Sequence, residues 1–509
     1  MLMHHLLLDN AERRPEQPAF TWVDRGLTLS HAQAASGMSH MAGALRSLGV
    51  ASGDRVSIVA HNGMDYLLAM LGCWRIGAIA ALVNVRFAAE LAEYFADHSP
   101  RVVIYTHDLH QEVRQAAAQV ASITHLLCMD GPQDGALSLP ELVQAQLPAG
   151  DDPAREDAVA HLSYTSGTTG RPKGACLAHE PTVRACRCIA ERLRLRAQDV
   201  SFGPTALSSS YQLVANVLAP MSVGAHVQVM RFWSASAGWA ALNAAQATVL
   251  VANPTLLQEL LSESLTLSSP PQGLRLGLSG GGPVPVALKK AWRDQLGLPL
   301  VESFGQSELG GFMALGYPEL EFDNDKLLRV GPPLPDKQVW IADEQGVPLA
   351  SGQIGQIVLR GGCMAGYWNQ PDASARAIRG ARQDELHTGD LGLIDADGYL
   401  TMRGRRSEVF AIDGHDWFPR DIEEALCQMD IVRQAAVIGV PDASHGCRAL
   451  AFITLQERVR HPDLAHLKQA LQTHLPYSIA ALSIRVVDSF PMTPTGKIAK
   501  GELAQRARC

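Results

Sequence analysis

Charge is sparse and unclustered in this sequence. Only 18% of its 509 residues are Asp, Glu, Lys or Arg, the formal charge is -8, and no dense block of lysines and arginines occurs. That argues against nucleic acid as the main partner. Cysteine is scattered: the nine residues at 73, 128, 176, 186, 188, 363, 427, 447 and 509 form no framework. An odd, dispersed count reads as reduced thiols of a cytoplasmic protein. Cys186 and Cys188 make a CxC with no second pair or ligand cluster nearby, so a zinc site is not expected. Uninterrupted apolar runs are missing too. Ala69 to Val85 is broken by Arg75, and the uncharged region from Ser201 to Met230 by Pro204, Asn216, Pro220 and Gly224. Both read as buried strands and helices rather than membrane spans. The opening MLMHHLLLDNAERRPEQ fits an amphipathic first helix better than an export signal.

What is present is a large globular composition, 47% hydrophobic over a length that calls for two or more units. Apolar residues recur at helical spacing from Ala32 to Leu48, and Gly49 stops that helix. Helices then alternate with short apolar strands at Val56 to Val59, Ala78 to Val83, Val102 to Ile104 and Leu126 to Cys128. The alternation resumes at Val227 to Met230, Ala237 to Ala245, Thr248 to Val251 and Leu274 to Ser279, with Pro270 and Pro271 marking a surface connection. This is the grammar of a layered α/β fold. From Arg329 short strands with turn signals take over, predicting a β-rich subdomain that ends near Arg405 to Ser407. The tail predicts a helix at Pro419 to Cys427, a strand at Ala435 to Gly439, a helix at Asp463 to His474 and a strand at Ile484 to Val487. That mixture is a small α+β unit.

One stretch organises the rest: Tyr164 to Gly174 reads YTSGTTGRPKG, and seven of its eleven residues are Ser, Thr or Gly. Glycines let the backbone approach an anion, while hydroxyls and exposed N–H groups bond phosphate oxygens. Lys173 is followed by Gly174 rather than a hydroxyl, so this is not the GxxxxGK[ST] loop of other nucleotide enzymes.

The stretch resembles the signature loop of the adenylate-forming (ANL) superfamily, which comprises acyl-CoA synthetases, peptide-synthetase adenylation domains and luciferases. The likeness is greatest to stand-alone AMP-forming acyl-CoA ligases. It extends over nearly the whole chain, including GAIAALVNVR in the opening third, and implies a multi-layer α/β body with a β-rich subdomain plus a smaller α+β C-terminal domain. The implied division is a nucleotide- and acyl-binding domain over 1–404, a hinge over 405–408 and a mobile domain over 409–509. By the same resemblance, Thr165, Ser166, Gly167, Thr168, Thr169, Gly170 and Lys173 lie beside the phosphates of ATP, Thr165 and Lys173 taking part in catalysis. Phe304, Gly305, Ser307 and Glu308 resemble the YGxTE element, with Glu308 on Mg2+, a hard cation suited to carboxylate and phosphate oxygens. Leu386 to Asp390 resembles the TGD element, in which Asp390 accepts hydrogen bonds from the ribose hydroxyls. Arg405 contacts ribose or phosphate from the hinge. Ser279 to Gly282 is similar to the segment between adenine and acyl pocket, so Gly280 and Gly281 border the substrate and Gly281 the nucleotide as well. Pro491 to Lys500 resembles PxTxxGK, whose lysine, here Lys497, neutralises charge while a carboxylate attacks the α-phosphate.

Several positions depart from the family pattern. Phe304 replaces a Tyr, Gln356 a Glu, and Glu408 an Asp, with Ser407 at the hinge position. Where many relatives carry an aromatic or His, Ser209 falls instead, with Tyr211, Met221 and Val214 to Val217 as further pocket or core residues. No Asp stands between Gly203 and Tyr211 to anchor a substrate ammonium, which weighs against amino-acid activation. The implied function is an ATP-dependent carboxylic acid–CoA ligase acting through an acyl-adenylate, with a thiol tunnel lined near Gly414. A carrier-protein phosphopantetheine is the alternative acceptor, and a non-catalytic nucleotide-binding homologue is the alternative class. A monomer or homodimer is expected.

Overall fold

The computed structural model describes residues 1–149, 155–165, 172–264, 271–456, 459, 462–475, 481–493 and 497–507. Two large sheets form the body. In the first, seven strands run in the order Leu137–Ser138, His125–Cys128, Val102–Tyr105, Arg55–Val59, Ile79–Leu82, Val159–Thr165 and Lys173–Ala178. All neighbours are parallel except the last pair, which is an antiparallel hairpin. These strands are short and apolar because the central ones are buried on both faces.

The second sheet has eight strands with a parallel centre formed by Leu300–Gln306, Leu276–Ser279, Val249–Ala252, Val200–Gly203, His226–Val229 and Pro18–Trp22. Antiparallel edges close it at Gly311–Leu315 and Leu27–Ser30. Helix Met64–Arg75 lies in the main apolar core with ten residues buried, which explains its all-round hydrophobicity. Gly72 lets it approach helix His31–Ser47, since a Cβ there would stand 2.8 Å from Met41 Cγ. The uncharged stretch that imitates a membrane span contains a π-helical turn at Leu213–Leu218 and is buried from Tyr211 to Met221, with Val214, Val217 and Met221 in the core. No helix among the described residues is long and apolar enough to cross a membrane.

An antiparallel five-stranded sheet follows, built from Gln338–Ala342, Gly355–Arg360, Ile378–Arg379, Glu385–Ile394 and Leu400–Arg405. The predicted β-rich subdomain is therefore present. A smaller C-terminal α+β domain has its own apolar core around Ile422, Leu426, Val437, Ala451 and Leu471. It contains the sheet Val432–Asp442, Gly446–Leu455 and Leu482–Val486, with helices Pro419–Cys427, Leu464–Gln472 and Lys500–Arg506. Predicted and observed elements agree in kind and differ by a few residues at their ends. The strand foreseen at Ala435 to Gly439 is longer in the fold because it pairs along its length with Gly446–Leu455. Pro270 lies outside the described residues.

Candidate active site

The loop centred on Gly167 joins the two strands of the hairpin, and the register sets Thr165 opposite Lys173. Ser166, Gly167, Thr168, Thr169 and Gly170 themselves lie outside the described residues. A buried polar network fastens both ends of the loop. Tyr164 donates its phenol to Asp97 Oδ2 at 2.8 Å and lies 2.9 Å from His98 Nδ1. Gln370 Nε2 donates to Asp97 Oδ1 at 3.2 Å and to the Pro172 carbonyl at 2.7 Å. Gly174 faces the Tyr164 ring, 3.2 Å from where its Cβ would be, so a side chain there would press on the anchor.

Beyond this hairpin, Lys173 Nζ lies 5.8 Å from the centre of the Tyr367 ring, and the Tyr367 phenol donates to Glu308 Oε1 at 2.7 Å. Glu308 occupies a 3-10 turn, Ser307–Leu309, and its carbonyl accepts from Met364 N at 2.7 Å. It is thus a fixed carboxylate rather than a loose surface side chain. Gly305 precedes this turn where a Cβ would come within 2.6 Å of the Gly311 carbonyl. Phe304 packs against the apolar cluster beneath the five-stranded sheet.

Asp390 sits on strand Glu385–Ile394 and is 5% exposed. Gln306 Nε2 donates to its Oδ2 at 2.5 Å and to the Thr388 carbonyl at 3.1 Å. The strand register places Arg405 opposite, its Nε 3.6 Å from Asp390 Oδ1. Burial raises the Asp390 pKa to about 6 despite the opposing pull of Arg405, Gln306 and Lys497. A buried carboxylate with so few donors is suited to a ligand that brings hydroxyls.

Lys497 arrives from the C-terminal domain into the same charged group. The residue is exposed to solvent. Surrounding protein, and then Arg405, lower its pKa from the usual lysine value, while Asp390, Glu308 and Glu408 pull the other way. The large domain meets the small one through Arg403 and Asp421 at 2.6 Å, Glu302 and Arg420 at 3.4 Å, and Val286 N donating to Glu424 at 2.8 Å. Glu308, Asp390, Arg405 and Lys497 therefore form one group of interacting charges, to which Lys173 is joined through Tyr367, although these residues span most of the sequence.

The acyl-pocket candidates are also drawn together in part. Tyr211 donates to the Leu278 carbonyl at 2.7 Å, and its ring lies against Gly280, where a Cβ would stand 2.8 Å from Tyr211 Cε2 and 2.3 Å from Ser303 Oγ. Gly281 adopts φ +78°, a left-handed conformation open to glycine, with nothing within 4 Å of a built Cβ. Ser209 stands just before the short helix that carries Tyr211, its carbonyl accepting from Leu213 N at 3.0 Å, and the next residue, Ser210, pairs its hydroxyl with Ser163 at 2.5 Å. Gly414 lies in an exposed turn at φ +78° beside Asp413, whose carboxylate meets His445 Nδ1 at 2.8 Å, and none of the pocket residues above comes within 4 Å of where a Cβ on Gly414 would be. Ser407 lies in the short turn Arg406–Glu408 between the two domains.

Asp97, Gln306, Tyr367 and Gln370 escaped the sequence reading. They hold the loop, the turn and the buried carboxylate, and single polar residues within ordinary-looking segments carry no signal of such partnerships. Among the described residues no group of three His, Cys, Asp or Glu side chains could hold a metal. A cation here would rest on Glu308 together with phosphate oxygens, which is how Mg2+ is usually held.

A two-sheet α/β body with a five-stranded antiparallel sheet, followed by a smaller α+β C-terminal domain, is the architecture of adenylate-forming enzymes. The chain belongs to the AMP-binding enzyme family, whose profile matches residues 7–368, and the profile of the AMP-binding enzyme C-terminal domain matches residues 421–497. It is 30% identical to a feruloyl-CoA synthase from Amycolatopsis sp. over 484 residues, 94% of each chain. Identity to a sulfoacetate–CoA ligase from Cupriavidus necator is 28% over 504 residues, covering 99% of this chain and 97% of that one. Among solved structures, ATP-bound MatB from Rhodopseudomonas palustris superposes with a TM-score of 0.88 at 25% identity, over 100% of this chain and 99% of that one. The anthranilate CoA ligase AuaEII in complex with anthranoyl-AMP shares the fold with a TM-score of 0.93 at 24% identity, over 100% of this chain and 97% of that one.

Proposed function

We propose that the chain is an ATP-dependent, AMP-forming carboxylic acid–CoA ligase. The observation that carries this reading is the grouping of Lys497 with Asp390, Arg405 and Glu308, charges from both ends of the chain near enough to act on one another. Full-length similarity to ligases that make CoA thioesters supports the same conclusion.

In the first half-reaction a carboxylate oxygen attacks the α-phosphorus of ATP, and the bond to the β-phosphate oxygen breaks with departure of pyrophosphate. Lys497 screens the repulsion between the two anions as they meet. Asp390 accepts hydrogen bonds from the ribose, Arg405 supplies a guanidinium beside it, and Lys173 supplies a cation to the phosphates. Glu308 would hold Mg2+, which neutralises phosphate charge when bound. In the second half-reaction a thiol sulfur attacks the acyl carbonyl, the thiol proton leaves to solvent, and AMP departs.

The working division is a domain over 1–404, a hinge at 405–408 centred on Ser407, and a small domain over 409–509. In the second half-reaction the face bearing Gly414 lines the thiol path, which is consistent with the exposed turn in which Gly414 lies. The acid is a carboxylate without an α-ammonium, because neither Tyr211, Ser209, Gly280 nor Gly281 offers a countercharge.

The test is pyrophosphate release over a panel of carboxylic acids with Mg-ATP, run without thiol, with coenzyme A, and with a phosphopantetheinylated carrier protein. Acid-dependent release with acyl-CoA formation is the expected result. Product on the carrier alone would reassign the acceptor, and ATP binding without pyrophosphate from any acid would overturn the enzymatic reading.

A further inference from the structure

We propose that Lys500 is a positioning residue for Lys497, tying the segment that delivers it to the hinge side of the C-terminal domain. The inference rests on the adenylation role given to Lys497 above. Met492 and Ile498 pair in an isolated antiparallel bridge, which holds the residues before and after Lys497 together. Thr493 N donates to the Lys497 carbonyl at 2.6 Å, Lys497 N to Thr493 Oγ1 at 3.0 Å, and Ala499 N to the Pro491 carbonyl at 2.8 Å. These bonds tie Lys497 to the segment Pro491 to Thr493. They do not fix where that segment sits relative to Asp390 and Arg405.

Lys500, three residues on, supplies that second constraint. It opens helix Lys500–Arg506, and its ammonium lies 2.9 Å from Glu408 Oε2 and 2.7 Å from Glu423 Oε1. Glu408 directly follows Ser407 in the interdomain turn, and Glu423 belongs to helix Pro419–Cys427. Glu423 Oε1 also accepts from Val437 N at 2.8 Å, so the carboxylate is held in place by the small domain's central sheet. One ammonium thus joins three elements: the Lys497 segment, the turn between domains, and the helix whose Arg420 reaches Glu302 of the large domain at 3.4 Å.

All three side chains are partly or largely shielded, with exposures of 23%, 34% and 13% for Lys500, Glu408 and Glu423. Coulomb attraction among them is consequently less screened than on an open surface. Removing the ammonium would leave two carboxylates facing each other, and their repulsion would part the turn from the helix. The departure of Glu408 from the family's Asp has a physical reading on these grounds, since the longer side chain reaches an ammonium.

The experiment compares Lys500→Met, Lys500→Arg, Glu408→Gln and Lys497→Ala in three measurements: the single-turnover rate of acyl-adenylate formation, ATP affinity by titration, and thiolysis of supplied acyl-adenylate. For Lys500→Met the expected result is a loss of about 10- to 100-fold in adenylation, because small misplacements of a reacting group are that costly. ATP affinity and thiolysis stay within about twofold of the parent by the same reasoning, since the reacting groups of those steps are untouched. Lys500→Arg restores most of the adenylation rate. Glu408→Gln, which breaks one contact at a half-exposed site and is not expected to prevent folding, gives a smaller loss in the same step. Adenylation unchanged in Lys500→Met, or adenylation and thiolysis lost equally, would overturn the proposal. Lys497→Ala separates the two readings: if it spares adenylation the reading of Lys497 fails, whereas if it abolishes adenylation and Lys500→Met does not, only the role of Lys500 falls.

Discussion

Replacing Asp390 by Asn should make the empty protein more stable and the nucleotide complex weaker. Burial lifts the Asp390 pKa from its ordinary 3.8 to about 6. Between those values the folded chain holds a proton that the unfolded chain has released, so stability declines as pH rises from about 4 to about 6 and stays lower above that. At pH 7 the carboxylate is charged in both states, and the difference corresponds to about 3 kcal/mol of destabilisation. Asn removes the charge, keeps the shape and still offers an oxygen to Gln306 Nε2, while forgoing the contact with Arg405 at 3.6 Å. The net gain is therefore put at about 1–3 kcal/mol, a rise in melting temperature of about 1–4 °C for a domain of this size. Hydrogen bonds from ribose hydroxyls to a charged acceptor contribute about 1.5–3 kcal/mol each, so ATP affinity should fall by about 100-fold. The assay is urea unfolding at pH 7 and pH 5 with and without ATP, alongside calorimetric titration of ATP. In the parent the stabilisation by ATP weakens below pH 6 as the carboxyl protonates, whereas in Asp390→Asn both stability and binding lose that pH dependence. A variant that is less stable when empty, or that binds ATP as well as the parent, would refute the reasoning.

Three further substitutions address the rest of the site. Lys497→Ala should slow acyl-adenylate formation by about 100- to 1000-fold, the usual cost of deleting one placed electrostatic group, and leave thiolysis of supplied acyl-adenylate largely intact. Glu308→Gln should raise the Mg2+ concentration needed for tight ATP binding, read by titration at several Mg2+ levels, since the amide keeps the Tyr367 hydrogen bond but not the charge. Gly280→Ala should cost about 1–3 kcal/mol, seen in urea unfolding, because the methyl would strike Ser303 Oγ and the Tyr211 ring. Tyr211 has little freedom to give way, held as it is by bonds to the Leu278 and Ala252 carbonyls, so acid preference should shift with the same change.

The elements of the fold were legible because their causes are local. Alternating apolar strands and helices, Gly49 after the helix, and turn residues such as Asp343 and Gly346 act over a few residues, and the corresponding elements appear in the structure. The composition of Tyr164 to Gly174 announced a phosphate-type loop for the same reason, since glycine freedom and hydroxyl density belong to the residues themselves. Loop fastening was not legible. Nothing near Asp97 marks it as the partner of Tyr164, nor Gln370 as the tie to Pro172, because those contacts join positions 67, 273 and 198 residues apart.

By itself the sequence determined which chemical groups are present: a hydroxyl-rich stretch, the Asp390 carboxylate, the Arg405 guanidinium and the Lys497 ammonium, in that order. Tertiary structure alone decided their state. It buried Asp390 beside Gln306 and Arg405 so that its carboxylate binds protons more tightly than usual, and it set Lys500 between Glu408 and Glu423. Pairing of distant strands fixes such distances, and electrostatic energy depends on distance and burial rather than on residue identity.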